Sequence, residues 1–221
     1  MNRNVVITGA NRGIGLSFVK RCLSQGDTVY AICRQASDAL ADSGAHIIDG
    51  VDVTTTTGTE KLAKALQGVS IDLLINNAGI LRNETLGNID ADSIRSQFET
   101  NALAPLMITD ALQPQLNKGG KVALITSRMG SIADNTSGGR YGYRMSKAAL
   151  NAAGKSLAED LKGLGVAVAI LHPGLVGTEM IGGHGDITPD EAAQRLLQRI
   201  DELTLDNTGT FWHSNGEVLP W

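Results

Sequence analysis

The chain has little cysteine, no long apolar run and no excess of positive charge. Each shortage removes a class of protein. Only Cys22 and Cys33 occur among 221 residues. Two cysteines are not a disulfide framework, and without histidines at ligand spacing they are not a metal site. They read as partly buried thiols, one on a first helix and one on a second strand. His46, His172, His184 and His213 are scattered and suggest no metal either. No apolar stretch reaches bilayer-spanning length. A formal net charge of −4 and a pI near 5.5 give no electrostatic case for nucleic acid or an anionic membrane. Met1-Asn2-Arg3-Asn4 passes at once into a strand pattern and leaves no room for a secretory leader. No linker, internal repeat or low-complexity segment divides the chain. The expectation is a soluble cytoplasmic protein with residues 1–221 in one domain, long enough for a sizeable core.

What is present is organised around Val5-Val6-Ile7-Thr8-Gly9-Ala10-Asn11-Arg12-Gly13-Ile14-Gly15. The β-branched run reads as a buried parallel strand. Leu16, Val19 and Leu23 then mark an amphipathic helix. Strand, glycine turn, helix is an arrangement that binds phosphate. Glycine lets the backbone approach a pyrophosphate, and free N–H groups at the helix start face its charge. The spacing is Gly-x-x-x-Gly-x-Gly, which differs from the commoner Gly-x-Gly-x-x-Gly. A plain strand-to-helix turn is the alternative from this motif alone.

Further strands are predicted over 28–33, 45–51, 71–76, 121–127 and 166–172, with a last short strand or hairpin over 210–212 and 217–219. A polar loop with at most one helical turn fills 34–38. Between the strands, Thr57 can cap a helix to about Leu66. Asp90 to Leu116 reads as a long helical segment kinked or broken by Pro105 and Pro114. Tyr143 to Leu161 is a second long helix, stopped by Gly163 and Gly165. Residues 177–187 hold four glycines and read as a mobile loop. Thr188-Pro189 opens a helix to about Leu203. Strands and helices alternate throughout, which predicts an α/β fold with a doubly wound parallel sheet of about seven strands flanked by helices. In such folds ligands bind beyond the carboxyl ends of the strands.

Several polar residues fall just past those ends. Tyr143 and Lys147 lie four apart on a predicted helix and share a face. A free tyrosine, with pKa near 10, is a poor proton donor or acceptor at neutrality. A neighbouring ammonium is expected to lower it and make a general acid or base. Ser127 ends a strand with a hydroxyl that can donate to a carbonyl oxygen. Asn101 interrupts a helical run, where asparagine is a poor fit. An inward amide there can hold a water beside the lysine. Singly, each has an ordinary reading: a surface pair, a strand-end serine, a locally bonded asparagine.

Thr8-Gly9-x-x-x-Gly13-x-Gly15, Asn76-Asn77-Ala78-Gly79, Asn101, Ser127, Tyr143-x-x-x-Lys147 and Pro173-Gly174 occur in that order. Together they resemble the short-chain dehydrogenase/reductase family across nearly the whole chain. Within it, Gly130 to Lys155, with Asn135-Thr136-Ser137-Gly138-Gly139 ahead of Tyr-x-Tyr-Arg, is similar to the C-factor-like and Sniffer-like carbonyl reductases. Two departures stand out: a longer loop between Ser127 and Tyr143, and a short region after Pro173, which implies a small lid.

The resemblance implies a single-domain Rossmann fold and a nicotinamide cofactor. It places Gly9, Asn11, Arg12, Gly13, Ile14 and Gly15 at the pyrophosphate. Asp52 and Val53 border the adenine, and Asn77, Ala78 and Gly79 lie along the adenosine ribose. Lys147 binds the nicotinamide ribose and tunes Tyr143; Ser127 orients the substrate carbonyl; Asn101 completes a water relay from Lys147. Pro173, Val176 and Thr178 contact the nicotinamide end. Tyr141 is a neighbouring alternative acid, but Met145 stands where its lysine would be. Leu81, Met129, Met180 and Ile181 are expected to line an apolar substrate pocket.

Cofactor choice is read from the end of the second strand. NAD-binding domains place an acid there, about 20 residues past the glycine turn. Here Cys33 is followed by Arg34, and no acid occurs before Asp38. Arg34, approached by Arg12 from the other side, suits a 2′-phosphate, so NADP(H) is expected. The expected activity is reduction of an aldehyde or ketone to an alcohol, with a small-molecule partner and no nucleic acid or membrane. A signalling protein of the same fold and a sugar-nucleotide epimerase are the alternatives, although the latter lacks its usual C-terminal substrate region. The two long helices, with the Ala148–Ala153 run, are expected to pair in a homodimer.

Overall fold

Alternate residues of each central strand enter two different cores, which explains why the strands are apolar without a break. The computed structural model describes residues 2–221. Its strands are β1 (Asn4–Thr8), β2 (Thr28–Ile32), β3 (His46–Ile48), β4 (Ile71–Asn76), β5 (Leu116–Ile125), β6 (Ala167–His172) and β7 (Phe211–His213). Its helices are α1 (Gly13–Ser24), α2 (Asp38–Ala41), α3 (Thr56–Ala65), α4 (Ala91–Phe98), α5 (Ala104–Leu112), α6 (Tyr141–Lys162) and α7 (Pro189–Asp201). Val5 and Ile7 of β1 pack with Phe18 and Cys22 of α1 and with Leu196 and Ile200 of α7. Val6, between them, faces Leu62 of α3, Ile108 of α5 and Leu161 of α6.

The strands form one seven-stranded sheet in the order β3-β2-β1-β4-β5-β6-β7. Every neighbouring pair is parallel. This is the expected doubly wound sheet. The chain winds outward from β1 to β3, then returns to set β4 on the other side of β1. The crevice at the carboxyl ends of β1 and β4 is therefore the switch point, where such folds take ligands.

Several boundaries differ from expectation. Thr55, rather than Thr57, caps α3, its hydroxyl accepting from Gly58 N at 3.0 Å. The segment expected as one long helix is split into α4, a π-helical turn over Glu99–Leu103, α5 and a 3₁₀ turn over Gln113–Gln115. Pro105 has no N–H to offer the Asn101 carbonyl, and the break falls just before it. β5 starts at Leu116 rather than at Lys121, because Ile71 pairs with Leu116 before the register shifts. It ends at Ile125, so Ser127 stands two residues beyond it. The helical turn α2 follows the 34–38 loop, and α6 begins at Tyr141, two residues early. The loop over 177–187 is folded on itself by a Val176–Ile187 bridge and a 3₁₀ turn over Glu179–Ile181. β7 joins the sheet edge, with Trp212 also bridged to Val218.

Candidate active site

The glycine turn occupies the crevice. A Cβ on Gly9, at φ +66°, would lie 2.8 Å from the Ala78 Cα, and one on Gly15 would lie 2.1 Å from the Gly9 carbonyl oxygen. The turn closes on itself and on the exit of β4, and only glycine permits both approaches. Asn77 ties the same junction: its amide donates to the carbonyls of Thr8 at 3.1 Å and Gly9 at 3.2 Å. The Thr8 hydroxyl accepts from Asn77 N and Ala78 N. Asn77 is thus a brace for the phosphate turn.

The helix start behind this turn is built for an anion. α2, α3, α4 and α7 begin with side-chain caps from Ser37, Thr55, Asp90 and Thr188. Arg12, at the cap of α1, supplies no such acceptor, and the first turn holds no acid. The N–H groups of Gly13, Ile14 and Gly15 are left to a ligand. The Thr178 methyl lies 3.5 Å from where a Cβ of Gly13 would be, so the segment after β6 covers the turn. Val176 is buried beneath that segment. These residues fit the pyrophosphate of a dinucleotide.

At the adenosine end, Val51 N donates to the Cys33 carbonyl and Gly50 N to the Arg34 carbonyl, both at 3.1 Å. This brings Arg34 beside Asp52 and Val53. Arg34 is exposed and has no ion-pair partner among the described residues. Hydrogen bonds from Thr54, and more weakly the Arg34 charge, hold the Asp52 carboxyl below its usual range. Arg12 is placed differently from expectation. Its guanidinium pairs with Glu179 at 2.7 Å, across the glycine turn on the 3₁₀ segment. Asn11 braces the loop after β2 through Gln35 and Ser37.

At the other end, Ser127, Tyr143 and Lys147 come together from β5's exit and α6. Lys147 is buried, and its Nζ donates to the Ile125 carbonyl at 2.9 Å. Burial pushes it down to about 8. The ammonium lies 5.8 Å from the Tyr143 ring centroid. Burial also raises the Tyr143 pKa; a hydrogen bond with Ser127 opposes this most, then the Arg140 charge. The Lys147 ammonium gives one of its three N–H donors to the Ile125 carbonyl and keeps two. The Ser127 Oγ accepts from Met129 N at 3.1 Å, so the donor it offers the phenol is its O–H. Tyr141 is more exposed, at the first turn of α6, with Met145 beside it on the surface.

Asn101 is fully buried, in the π turn. Both of its amide donors are engaged, Nδ2 giving to the Ile80 carbonyl at 2.8 Å and to Ser146 Oγ at 3.0 Å, while Oδ1 accepts from Ile80 N at 2.8 Å. The amide thus clamps β4's exit to α6, and Oδ1 keeps a second lone pair. It still sits by the lysine: a Cβ on Gly79 would be 3.2 Å from Asn101 Oδ1 and 3.7 Å from Lys147 Nζ. Pro173 accepts a bond from Ser214 Oγ at 2.9 Å. Leu81, Met129 and Ile181 are half-buried and Met180 is exposed, as befits a shallow pocket wall.

Two features escaped the sequence reading. Glu84 is buried, and its carboxylate accepts from Ser93 Oγ at 2.7 Å, Gln97 Nε2 at 2.7 Å and Gly142 N at 3.1 Å. It thus caps the helix that carries Tyr143. No local signal marks it. The histidines expected to be scattered include one close pair: His172 and His213 meet edge to face, centroids 4.8 Å apart. Burial, with the charges of His213 and Arg128, drives His172 down to about 3. No group of three candidate metal ligands occurs among the described residues.

The short chain dehydrogenase family model matches residues 3–202. The chain belongs to the short-chain dehydrogenase family, a class of oxidoreductases. It is 43% identical over 223 residues to 1-hydroxy-2-glutathionyl-2-methyl-3-butene dehydrogenase of Rhodococcus sp. (strain AD45), covering 98% of this chain and 99% of that one. It is also 43% identical over 154 residues to the C-signal protein of Myxococcus xanthus, covering 68% of this chain and 93% of that one. Among solved structures it is similar to the NADPH-bound carbonyl reductase from chicken fatty liver. The TM-score is 0.88 at 31% identity, over 100% of this chain and 99% of that one.

Proposed function

We propose that the protein is an NADP(H)-dependent carbonyl reductase, converting an aldehyde or ketone to an alcohol, with Tyr143 as the proton donor. The observation that carries this reading is the convergence of Ser127, Tyr143 and Lys147 beside an uncapped helix start. Gly9, Gly13, Ile14 and Gly15 would hold the pyrophosphate, Arg34 a 2′-phosphate, and Thr178 with Val176 the nicotinamide end. Bound NADPH supplies the hydride. The Ser127 O–H donates to the substrate oxygen and fixes its position. Tyr143 gives that oxygen a proton, and burial, which disfavours its charged form, keeps the proton in place until transfer. Lys147 then stabilises the phenolate. Asn101 holds Ile80 and Ser146 and so fixes the walls around the lysine. The site runs in reverse on an alcohol, in keeping with the Rhodococcus relative, which is named as a dehydrogenase. NADPH oxidation with a panel of aldehydes and diketones tests the reading, and a purified protein inert with the whole panel would defeat it.

A signalling role is the second reading, and the similarity to the C-signal protein favours it. A pure binding module has no use for the complete Asn101, Ser127, Tyr143 and Lys147 set, which supports the enzyme. The reading includes a cytoplasmic location; no helix among the described residues is long and apolar enough to cross a membrane. It also includes a homodimer through α4, α5 and α6, on whose surfaces Phe98, Met107 and Met145 are exposed. A monomeric mass by light scattering at micromolar concentration would count against that pairing.

A further inference from the structure

The substrate end of the site is bordered by the exit of β4, Gly79 to Glu84, and by the segment from Arg128 to Arg144. Arg128 is neutralised there by Asp134 at 3.1 Å and Glu217 at 2.9 Å. Arg82, Arg140 and Arg144 have no ion-pair partner among the described residues. The chain carries a net charge of −4, so this positive border is not a general excess. Arg144 is spent on its own loop, donating to Ser137 Oγ at 2.9 Å and to the Gly138 carbonyl at 3.3 Å. Arg82 leans on the Leu81 carbonyl. Arg82 and Arg140 both keep free N–H donors, and Arg140 is set apart by its backbone and by its contact with Met129.

Arg140 is also held in an unusual way. It has φ +49° and ψ +47°, the only positive φ outside glycine among the described residues. Gly138 and Gly139 precede it, both at φ +62°. A third glycine would follow this left-handed turn without strain, and arginine does not. Glu84 imposes the conformation, its carbonyl accepting from Arg140 N at 2.8 Å and its carboxylate from Gly142 N at 3.1 Å. The side chain thereby lies along the substrate border, between Asn83 and Met129. Nε donates to Asn83 Oδ1 at 3.1 Å, and Nη1 lies 3.6 Å from the Met129 sulfur, two residues beyond Ser127. The charge is felt at the Tyr143 phenol. Strained non-glycine backbone clusters at ligand clamps, and here it sets an unpaired guanidinium at the rim of the site.

We propose that Arg140 binds an acidic group of the substrate, so that the preferred carbonyl compounds or alcohols of this protein carry a carboxylate. The inference rests on the oxidoreductase reading above and names its substrate class. A guanidinium still holding free N–H donors in a planar fork suits a carboxylate, and no protein acid competes for it.

The test compares 4-oxopentanoic, 5-oxohexanoic and 6-oxoheptanoic acids with their methyl esters, which keep the skeleton and remove the charge. For at least one pair the wild type should favour the acid about tenfold or more in kcat/KM, mainly through KM, and added NaCl should shrink the preference. Arg140→Gln should abolish the preference, and Arg140→Lys should retain part of it. Arg140→Gly suits the left-handed backbone, so it should lose the preference with no fall in unfolding midpoint. Equal efficiency for acid and ester in the wild type overturns the proposal, as does a preference that survives in Arg140→Gln. Calorimetry with NADP present separates the two readings if neither compound is reduced. Keto-acid binding that Arg140→Gln loses would keep the acid site and leave the reductase to the aldehyde and diketone panel; no keto-acid binding, beside turnover of that panel, would overturn the acid site alone.

Discussion

The two halves of this site are built from different materials. On the side of β1 to β3, the backbone does the work. Gly9 and Gly15 let strands and helix approach, uncapped N–H groups face the ligand, and Asn77 braces the turn. On the side of β5 to β7, buried side chains do it: Lys147 on the Ile125 carbonyl, Asn101 on Ile80 and Ser146, Glu84 under α6, and His172 against His213. A backbone site tolerates little change at its glycines but is insensitive to protonation. A side-chain site can tune proton transfer, at the cost of burying groups that titrate. The division matches the chemistry: the pyrophosphate is met by backbone dipoles, whereas a substrate oxygen needs a proton at the right moment.

The largest expected effect lies in the side-chain half. Tyr143→Phe should lower turnover by roughly 10²–10⁴-fold while leaving NADP affinity, measured by calorimetry, nearly unchanged. Near-native turnover would remove Tyr143 from the chemistry. Lys147→Ala should instead lose turnover and cofactor affinity together.

Next is Glu84→Ala, which strips the partner from Gly142 N, Ser93 and Gln97 at once. We expect a loss of about 2–3 kcal/mol in denaturant unfolding, the order set by buried donors left unsatisfied, and a parallel fall in kcat. A stability change near zero would show that α6 does not depend on this cap.

The third test is acid. His172 has a folded pKa near 3, below its usual 6.5. Between those values the unfolded chain binds the extra proton, so its share of stability is whole above pH 6.5 and is lost as pH falls toward 3. Native protein should weaken by about 2 kcal/mol between pH 7 and pH 5 on this account. His172→Asn should flatten that slope, and an unchanged slope would refute the assignment.

Two smaller effects probe the backbone half. Arg34→Asp should erase or reverse a preference for NADPH over NADH of about tenfold or more, the worth of one charge-assisted contact, read as kcat/KM at fixed ionic strength. Glu179→Gln frees Arg12 from its exposed pair. NADPH affinity should rise, by at most about fivefold given the modest strength of surface pairs, with NADH unaffected. A fall in NADPH affinity would show that the pair serves the cofactor.

Much was legible in the sequence because the relevant physics is local. Strand, glycine turn and helix follow from adjacent residues, and so does the missing acid at Cys33-Arg34. Tyr143 and Lys147 share a face because the helix repeats, whatever surrounds it. The parallel sheet follows from apolar runs that need cover on both faces. The tertiary structure alone decided which partner each polar group finds. Glu84 meets Gly142 across 58 residues, Asn101 meets Ser146 across 45, and Arg12 meets Glu179 across 167. It seated the Lys147 ammonium against a carbonyl, engaged the Asn101 amide and forced Arg140 into a left-handed turn. A hydrogen bond or a buried charge depends on distance and solvent exclusion. Both are properties of the packed chain, which spacing along the sequence does not encode.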